Sequence, residues 1–230
     1  ILQGIAGVAA VQRDRRTGRP RNVRHTICDK ATGLTTAQGI TAALLARERG
    51  QGGQHLRVNM LDTSIAFLWP DAGANATILE DDVVPAPTLA ESYRVDEAAD
   101  GYYCVAALTD AQIQGVFRAI GRPELCSDPR FANLAARMHH LEELRDLLGG
   151  PDPRTRQEVM KALEVEDVPC GPVYGSVDEV PDDPQVRANR TFLESVHPKM
   201  GRLREPRPPV AFDRTVSEIQ RPAPAHGEHT

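Results

Sequence analysis

Aromatic residues, paired cysteines and long hydrophobic runs are all scarce in this chain of 230 residues. Aromatic side chains make up only 4% of the sequence and the net charge is −5, so the chain lacks the stacking surfaces and the basic face that nucleic-acid binding uses. The four cysteines lie far apart without a C-x-x-C pair, which argues against zinc and disulfide frameworks. No apolar run approaches the roughly 20 residues that span a bilayer, and no signal segment opens the chain. We therefore expect a cytoplasmic protein that binds neither nucleic acid nor a membrane.

Small residues and turn formers dominate the stretch from Cys28 to Asp62, which reads CDKATGLTTAQGITAALLARERGQGGQHLRVNMLD. Its first part intersperses alanine and glycine with leucine and isoleucine, which predicts a long helix that another backbone or a ligand can approach closely. The glycines at 50–53 predict a turn, the alternating residues 55–60 predict a strand, and Asp62 is the expected cap of a second helix. This order of elements is typical of an α/β fold.

The remaining chain is predicted to be mainly helical up to residue 190 and to end in short strands. Capping-box spacing in Thr109 with Gln112, and in Thr155 with Glu158, predicts helix starts near residues 110 and 156. We expect a short buried segment at 1–11, further helices at 134–148 and 177–190, and strands at 102–107, 168–173, 192–197 and 210–212. Changes in composition divide the chain into a first portion, a linker with a small domain, and a return segment, at residues 1–75, 76–190 and 191–230.

Asp29 stands at the predicted start of the long helix. Aspartate is among the best helix caps, and capping alone would explain its position. The positive end of the helix dipole also favours an ionised carboxylate and would stabilise an anion formed beside it. Because an ionised aspartate is the nucleophilic form, the capping and the catalytic interpretations are compatible.

Other polar residues allow further hypotheses. The segment 13–24 is rich in arginine and is either a solvated loop or a site for an anionic ligand such as a phosphorylated cofactor, with Arg13, Arg15 and Arg16 as candidates. His139 and His140 precede two glutamates, but adjacent histidines diverge on a helix, so we predict no metal site. Cys170 has no basic neighbour in sequence that would lower its pKa, which favours a small core residue over a nucleophile.

Taken together, the motifs resemble the class III coenzyme A transferase family. This superfamily also contains L-carnitine dehydratase-type proteins, bile-acid-inducible protein F and alpha-methylacyl-CoA racemase. The resemblance covers nearly the whole chain, and its specificity comes from the order and spacing of the pieces. They are DKATGL from Asp29 onward, AALLARER, GGQH, VNMLD, DGYYCVAALTDAQ, GRPEL, DPRFANLAAR, VPCGPV, DPQVRA, HPKMGRLREPRPPVAF and GEHT.

The resemblance implies an α/β fold in which both ends of the chain build a Rossmann-like large domain, with a small α+β domain inserted between them. It implies interlocked homodimers and assigns Asp29 as the catalytic aspartate. The expected substrates are an acyl-CoA and a carboxylic acid, which react through aspartyl anhydride and aspartyl-CoA thioester intermediates without a metal or prosthetic group. Arg13, Arg15 and Arg16 are then candidates for binding the CoA phosphates.

Two alternatives stay open at this point. Family members are considerably longer, so we expect an internal fragment that lacks both ends, and it could be a non-catalytic piece or a binding module. A racemase would instead use Asp29 as an acid or base on the α-carbon of an acyl-CoA. The segment from Gln3 to Gly7 resembles the glutamine-containing version found in transferases, which favours the transferase.

Overall fold

The computed structural model describes residues 1–80, 87–224 and 226–228, and these residues form a mixed α/β structure. The α-helices are α1 (Leu2–Ile5), α2 (Val8–Val11), α3 (Ile27–Ala46), α4 (Met60–Ala72), α5 (Ala74–Thr77), α6 (Asp110–Ala119), α7 (Leu134–His139), α8 (Leu141–Leu148), α9 (Arg156–Val165) and α10 (Pro184–Ala188). The strands are β1 (Asp96–Ala98), β2 (Gly101–Val105), β3 (Cys170–Val173), β4 (Phe192–His197) and β5 (Gly201–Pro206). No helix in the described ranges is both long enough and apolar enough to cross a membrane.

The strands form two small antiparallel sheets. One has the order β1-β2-β3, with Tyr103 of β2 opposite Asp96 on one side and Pro172 on the other. The other is the hairpin of β4 and β5, in which Phe192 lies opposite Pro206. The Rossmann-like arrangement and the division at residues 75 and 190 stay predictions.

The main hydrophobic core lies where α9 and α6 cover the three-stranded sheet. Val159 and Leu163 of α9 are completely buried there, against Val116 of α6, Tyr103 of β2 and Val168. The start of α9 is fixed by the predicted capping box, since Thr155 Oγ1 accepts a hydrogen bond from the Glu158 N–H and Glu158 Oε2 accepts one from the Thr155 N–H. The capping box at the start of α6 is also confirmed. Local capping therefore sets the registers of the helices that build this core.

A second hydrophobic cluster forms around another residue of α6. Phe117 is 1% exposed and packs edge-to-face on Phe131, with ring centroids 6.1 Å apart. Leu125 and Leu144 complete the cluster. Because α6 contributes to both clusters, it joins the sheet to the helices that follow it.

The first 77 residues pack around the pair of helices α3 and α4. The buried residues of α3 are Cys28 and Ala31, near its start, and that of α4 is Ser64. Further along α3 the large apolar side chains are exposed, Leu34 by 71% and Leu45 by 51%. The tight packing of α3 is thus confined to the end that carries Asp29.

Several sequence predictions for this region are wrong. Residues 52–59 form no strand, because they are exposed and the described chain places no neighbouring strand to take their backbone hydrogen bonds. The cap of α4 is Asn59, whose Oδ1 accepts from the N–H groups of Leu61 and Asp62, so Asp62 lies inside the first turn. Residues 1–11 form two short helices joined by a turn, and within this segment only Ala6 of the turn and Ala9 of α2 are buried.

Later elements also depart from expectation. The helix predicted at 134–148 breaks at His140 into α7 and α8, and residues 177–190 form a 3₁₀ turn followed by α10. Residues 210–212 are irregular, and the partner of β4 is β5 instead. Residues 81–86 of the predicted linker, and the last two residues of the GEHT motif, lie outside the described residues.

Replacing Gly115 with alanine is expected to destabilise the protein. The added Cβ would lie 2.8 Å from Val168 Cγ2 and 3.0 Å from the Glu166 carbonyl oxygen, in the core where α6 meets the end of α9. Overpacking of this kind costs about 1–3 kcal/mol. Gly33→Ala is the control, because its Cβ would meet no described atom within 4 Å beyond the adjacent backbone of α3, and the α3 interior would gain about 0.5–1 kcal/mol. Urea unfolding measures both, and a G115A protein as stable as wild type would contradict the packing described here.

The Asp152 carboxylate is expected to stabilise the fold in a pH-dependent way. It accepts hydrogen bonds from Arg154 Nε at 2.9 Å and Nη2 at 2.7 Å, while Arg154 Nη1 donates to the Ala119 carbonyl at 2.9 Å. These side-chain bonds lower the pKa of Asp152 below its ordinary value. A carboxyl whose pKa is lowered by folding stabilises the protein above its unfolded pKa, and this contribution is lost as the pH falls through the folded pKa.

Asp152→Asn should therefore reduce the free energy of unfolding by about 1 kcal/mol at neutral pH, with a smaller loss below about pH 4. Urea unfolding at several pH values checks this, with the exposed Asp213→Asn as control. A loss that is the same at all pH values would show that the Asp152 charge does not matter.

Candidate active site

Asp29 is the third residue of α3, inside its first turn. The helix begins at Ile27, and the N-cap position belongs to Thr26, whose carbonyl accepts the N–H of Lys30 at 3.0 Å. The prediction that Asp29 is the N-cap was therefore wrong, because the pattern of small residues locates a helix without fixing its first hydrogen bond. The expectation of a carboxylate at the positive end of a long helix remains.

The first backbone N–H groups of α3 have no side-chain cap. Thr26 makes no side-chain capping bond, and the first amide groups of any helix have no acceptor within that helix. The N–H groups of Ile27, Cys28 and Asp29 thus contribute a partial positive charge at this end of a 20-residue helix. The Asp29 side chain is exposed, and in the described part of the chain no hydrogen bond or ion pair engages its carboxylate. It is available to an incoming ligand.

Two basic side chains lie near Asp29 in sequence, Lys30 directly after it and His25 four residues before it. Lys30 Nζ lies 2.9 Å from His25 Nε2, and both residues are exposed. This contact ties the first turn of α3 to the segment that precedes it.

The side chain of Gln3 holds the backbone that leads into α3. Its Oε1 accepts the Val23 N–H at 2.8 Å, and its Nε2 donates to the carbonyls of Val23 at 3.1 Å and His25 at 3.0 Å. The sequence separation is 20 to 22 residues, so no local pattern indicates these bonds. Sequence reasoning assigned Gln3 to a family motif and missed its contacts.

The arginine candidates occupy different surroundings, although all three are exposed. Arg15 Nη2 donates to the carbonyls of Glu91 at 2.9 Å and Tyr93 at 3.4 Å. Arg13 Nε donates to the Ala10 carbonyl at 3.0 Å.

Arg13 and Arg15 line a cleft of about 450 Å³, together with Glu91, Glu142 and Arg145. Its described lining includes neither Arg16 nor Asp29. The structure therefore brings two of the three predicted arginines together, but in a cleft that Asp29 does not line.

The remaining candidates have structural roles. His140 Nδ1 lies 2.8 Å from Glu143 Oε1, and Glu143 also pairs with Arg130 at 2.7 Å. Among the residues that the structure describes, no group of three or more His, Cys, Asp or Glu side chains is placed to hold a metal ion. Burial raises the pKa of the Cys170 thiol, which disfavours the reactive thiolate.

Curated relatives match this chain over most of its length. It is 29% identical to succinate–glutarate CoA-transferase of Agrobacterium fabrum, over 100% of the chain and 58% of that protein. It is 29% identical to succinyl-CoA:glutarate CoA-transferase of Mus musculus, over 88% of the chain and 47% of that protein. It is 28% identical to formyl-CoA:oxalate CoA-transferase of Bradyrhizobium diazoefficiens, over 97% of the chain and 58% of that protein. The chain thus spans about half the length of the curated relatives it matches.

Solved structures share the fold. Rv3272 of Mycobacterium tuberculosis, in its orthorhombic form, matches with a TM-score of 0.75 and 25% identity, over 99% of this chain and 61% of that one. A CAIB/BAIF family protein from Brucella suis matches with a TM-score of 0.72 and 24% identity, over 99% of this chain and 59% of that one. The family model described as CoA-transferase family III matches residues 1–230. The chain therefore belongs to CoA-transferase family III.

Proposed function

We propose that the protein transfers coenzyme A from an acyl-CoA donor to a carboxylic acid, with Asp29 as the covalent nucleophile. The observation that carries this proposal is the exposed Asp29 carboxylate, without a partner in the described chain, in the first turn of a 20-residue helix. The relatives are CoA-transferases named for succinate and glutarate or for formyl-CoA and oxalate, which supports CoA transfer as the reaction.

The first half of the reaction moves CoA onto the protein. The Asp29 carboxylate attacks the thioester carbonyl of the donor, the C–S bond breaks, and CoA thiolate leaves behind a mixed anhydride of donor and aspartate. The thiolate then attacks the aspartyl carbonyl of this anhydride. The donor acid departs as a carboxylate, and Asp29 is left as an aspartyl-CoA thioester.

The second half repeats this chemistry with the acceptor. The acceptor carboxylate attacks the aspartyl-CoA thioester and releases CoA thiolate, which gives an anhydride between Asp29 and the acceptor. The thiolate then attacks the acceptor carbonyl, so the acceptor leaves as its CoA thioester and the Asp29 carboxylate is regenerated. No proton is added or removed over the cycle, which suits a site whose nucleophile is a lone carboxylate.

Each attack forms a tetrahedral oxyanion that requires hydrogen-bond donors. The first amides of α3 are the donors we propose, since the helix does not use them and Thr26 does not cap them. Their partial positive charge would also attract the anionic oxygens of a substrate or intermediate. One helix start thus supplies the nucleophile and the stabilisation of its intermediates.

The arginines remain our candidates for the CoA phosphates, because their contacts leave guanidinium donors available. Arg15 uses only its Nη2 for the carbonyls of Glu91 and Tyr93. Arg13 uses only its Nε for the Ala10 carbonyl, and Arg16 is exposed on the same loop. The homodimer and the cytoplasmic location are likewise proposals.

Asp29→Asn in the full-length protein is expected to lower the rate of CoA transfer by about 1,000-fold or more, because the amide cannot act as the nucleophile. Wild-type protein incubated with acyl-CoA and hydroxylamine should form a hydroxamate at Asp29, detected by mass spectrometry of the peptide, and D29N protein should not. Asp62→Asn is a matched control, since Asp62 is the third residue of α4 and equally exposed. It should change the rate by less than about twofold.

Three outcomes would contradict the proposal in different ways. Undiminished CoA transfer by D29N would exclude Asp29 as the nucleophile. Solvent deuterium that enters the α-carbon of the acyl group without CoA exchange would identify a racemase. If calorimetry detected no CoA binding to the protein, the non-catalytic alternative would hold.

A further inference from the structure

We infer that Gln3 is a positioning residue for the reaction of Asp29: its side-chain amide fixes the backbone that enters α3 and so holds the aspartate in place. This inference rests on the proposed function, because it concerns how the same carboxylate is presented to its substrate. Gln3 itself lies on α1 and needs no contact with substrate for this role.

The Gln3 amide replaces a missing strand neighbour. Residues 21–26, which lead into α3, adopt no helix or strand, so their backbone groups need partners from elsewhere. Gln3 both accepts the N–H of Val23 at 2.8 Å and donates to its carbonyl at 3.1 Å, as a paired strand would. Its third bond is to the carbonyl of His25, the residue before the N-cap, at 3.0 Å. Among the described residues, no other side chain bonds the backbone of residues 22–26.

A side-chain cap, the usual way of fixing a helix start, is missing here. Thr26 provides no side-chain cap, so nothing within α3 determines the direction from which the chain enters the helix. The His25 ring contacts Lys30, the residue after Asp29, at 2.9 Å. The carbonyl held by Gln3 and the ring that contacts the first turn of α3 thus belong to the same residue.

Gln3 is itself held by the rest of the fold. The turn after α1 has Gly7 at a φ of 89°, and a Cβ built there would lie 3.5 Å from Leu68 Cδ2 of α4. The helix α4 packs on α3, and the N–H of Arg21 donates to the Ala9 carbonyl of α2 at 3.1 Å. Contacts therefore link α1 to the start of α3 through Gln3, link α3 to α4, and link α4 back to the turn after α1. A displacement of about 1 Å at a nucleophile can cost on the order of 100-fold in rate.

Two variants of Gln3 remove different sets of its hydrogen bonds. Gln3→Glu keeps the size of the side chain and the acceptor for Val23, but it places a carboxylate against two carbonyl oxygens. Gln3→Ala removes all three bonds. Gln12→Glu and Gln12→Ala are the matched controls, since Gln12 is exposed at the end of α2 and no side-chain bond engages it in the described structure.

In the full-length protein, Q3E and Q3A are expected to lower kcat for CoA transfer by about 10-fold to 100-fold, while KM for acyl-CoA changes by less than about twofold. Hydroxamate formation at Asp29 should slow in the same proportion. The Gln12 variants should match wild type. Melting temperatures of all four variants establish that the proteins compared are folded.

Other outcomes would overturn the inference. A raised KM with unchanged kcat would show that Gln3 binds substrate instead, and kcat values equal to those of the Gln12 controls would remove the positioning role. If both Gln3 variants fail to fold, amide hydrogen exchange in the wild-type protein tests the inference. The Val23 amide should exchange more slowly than the Arg24 amide, because it donates to Gln3. Equal exchange rates would refute the inference. Absence of CoA transfer by the wild type would instead refute the proposed function.

Discussion

The arrangement of this protein around Asp29 depends on how the first turn of α3 is held. A helix cannot satisfy its own first amide groups, so the chain that enters it must be fixed by a cap, by packing or by a contact from elsewhere. In α3 the cap is missing, and the hydrogen bonds come from Gln3 on α1 and reach the backbone at Val23 and His25. These bonds leave the amides of the first turn free, whereas a capping side chain would occupy one of them.

The side chains that α3 buries near its start are small. Cys28 and Ala31, the buried residues of α3, both lie within the first five positions of the helix, and the buried residue of α4 is Ser64. Because these side chains are short, neighbouring backbone can approach α3 closely at the end that carries Asp29. Beyond these positions, the larger apolar residues of α3 are exposed.

Sequence reasoning succeeded where structure is determined by neighbours along the chain. The capping boxes at Thr109 and Thr155 each involve residues three positions apart, and both were predicted correctly. The strand predicted at 55–60 failed because a strand needs a partner, which a pattern of alternating residues does not provide. The role of Gln3 could not be predicted, since its partners are 20 and 22 residues away. The position of Asp29 near a helix start was predicted, but its place within the first turn was not.

A comparison of α3 with α4 distinguishes two aspartates that share the same position in their helices. Both helices have an aspartate as their third residue, Asp29 in α3 and Asp62 in α4. In α4 the Asn59 side chain accepts hydrogen bonds from the N–H groups of Leu61 and Asp62, so two of the first amides of that helix already have a partner. In α3 no side chain does this, although an absent cap typically costs about 1 kcal/mol. The amides beside Asp29 therefore remain open to the oxygen atoms of a ligand, and this difference, rather than the carboxylate itself, distinguishes the candidate nucleophile from its structural counterpart.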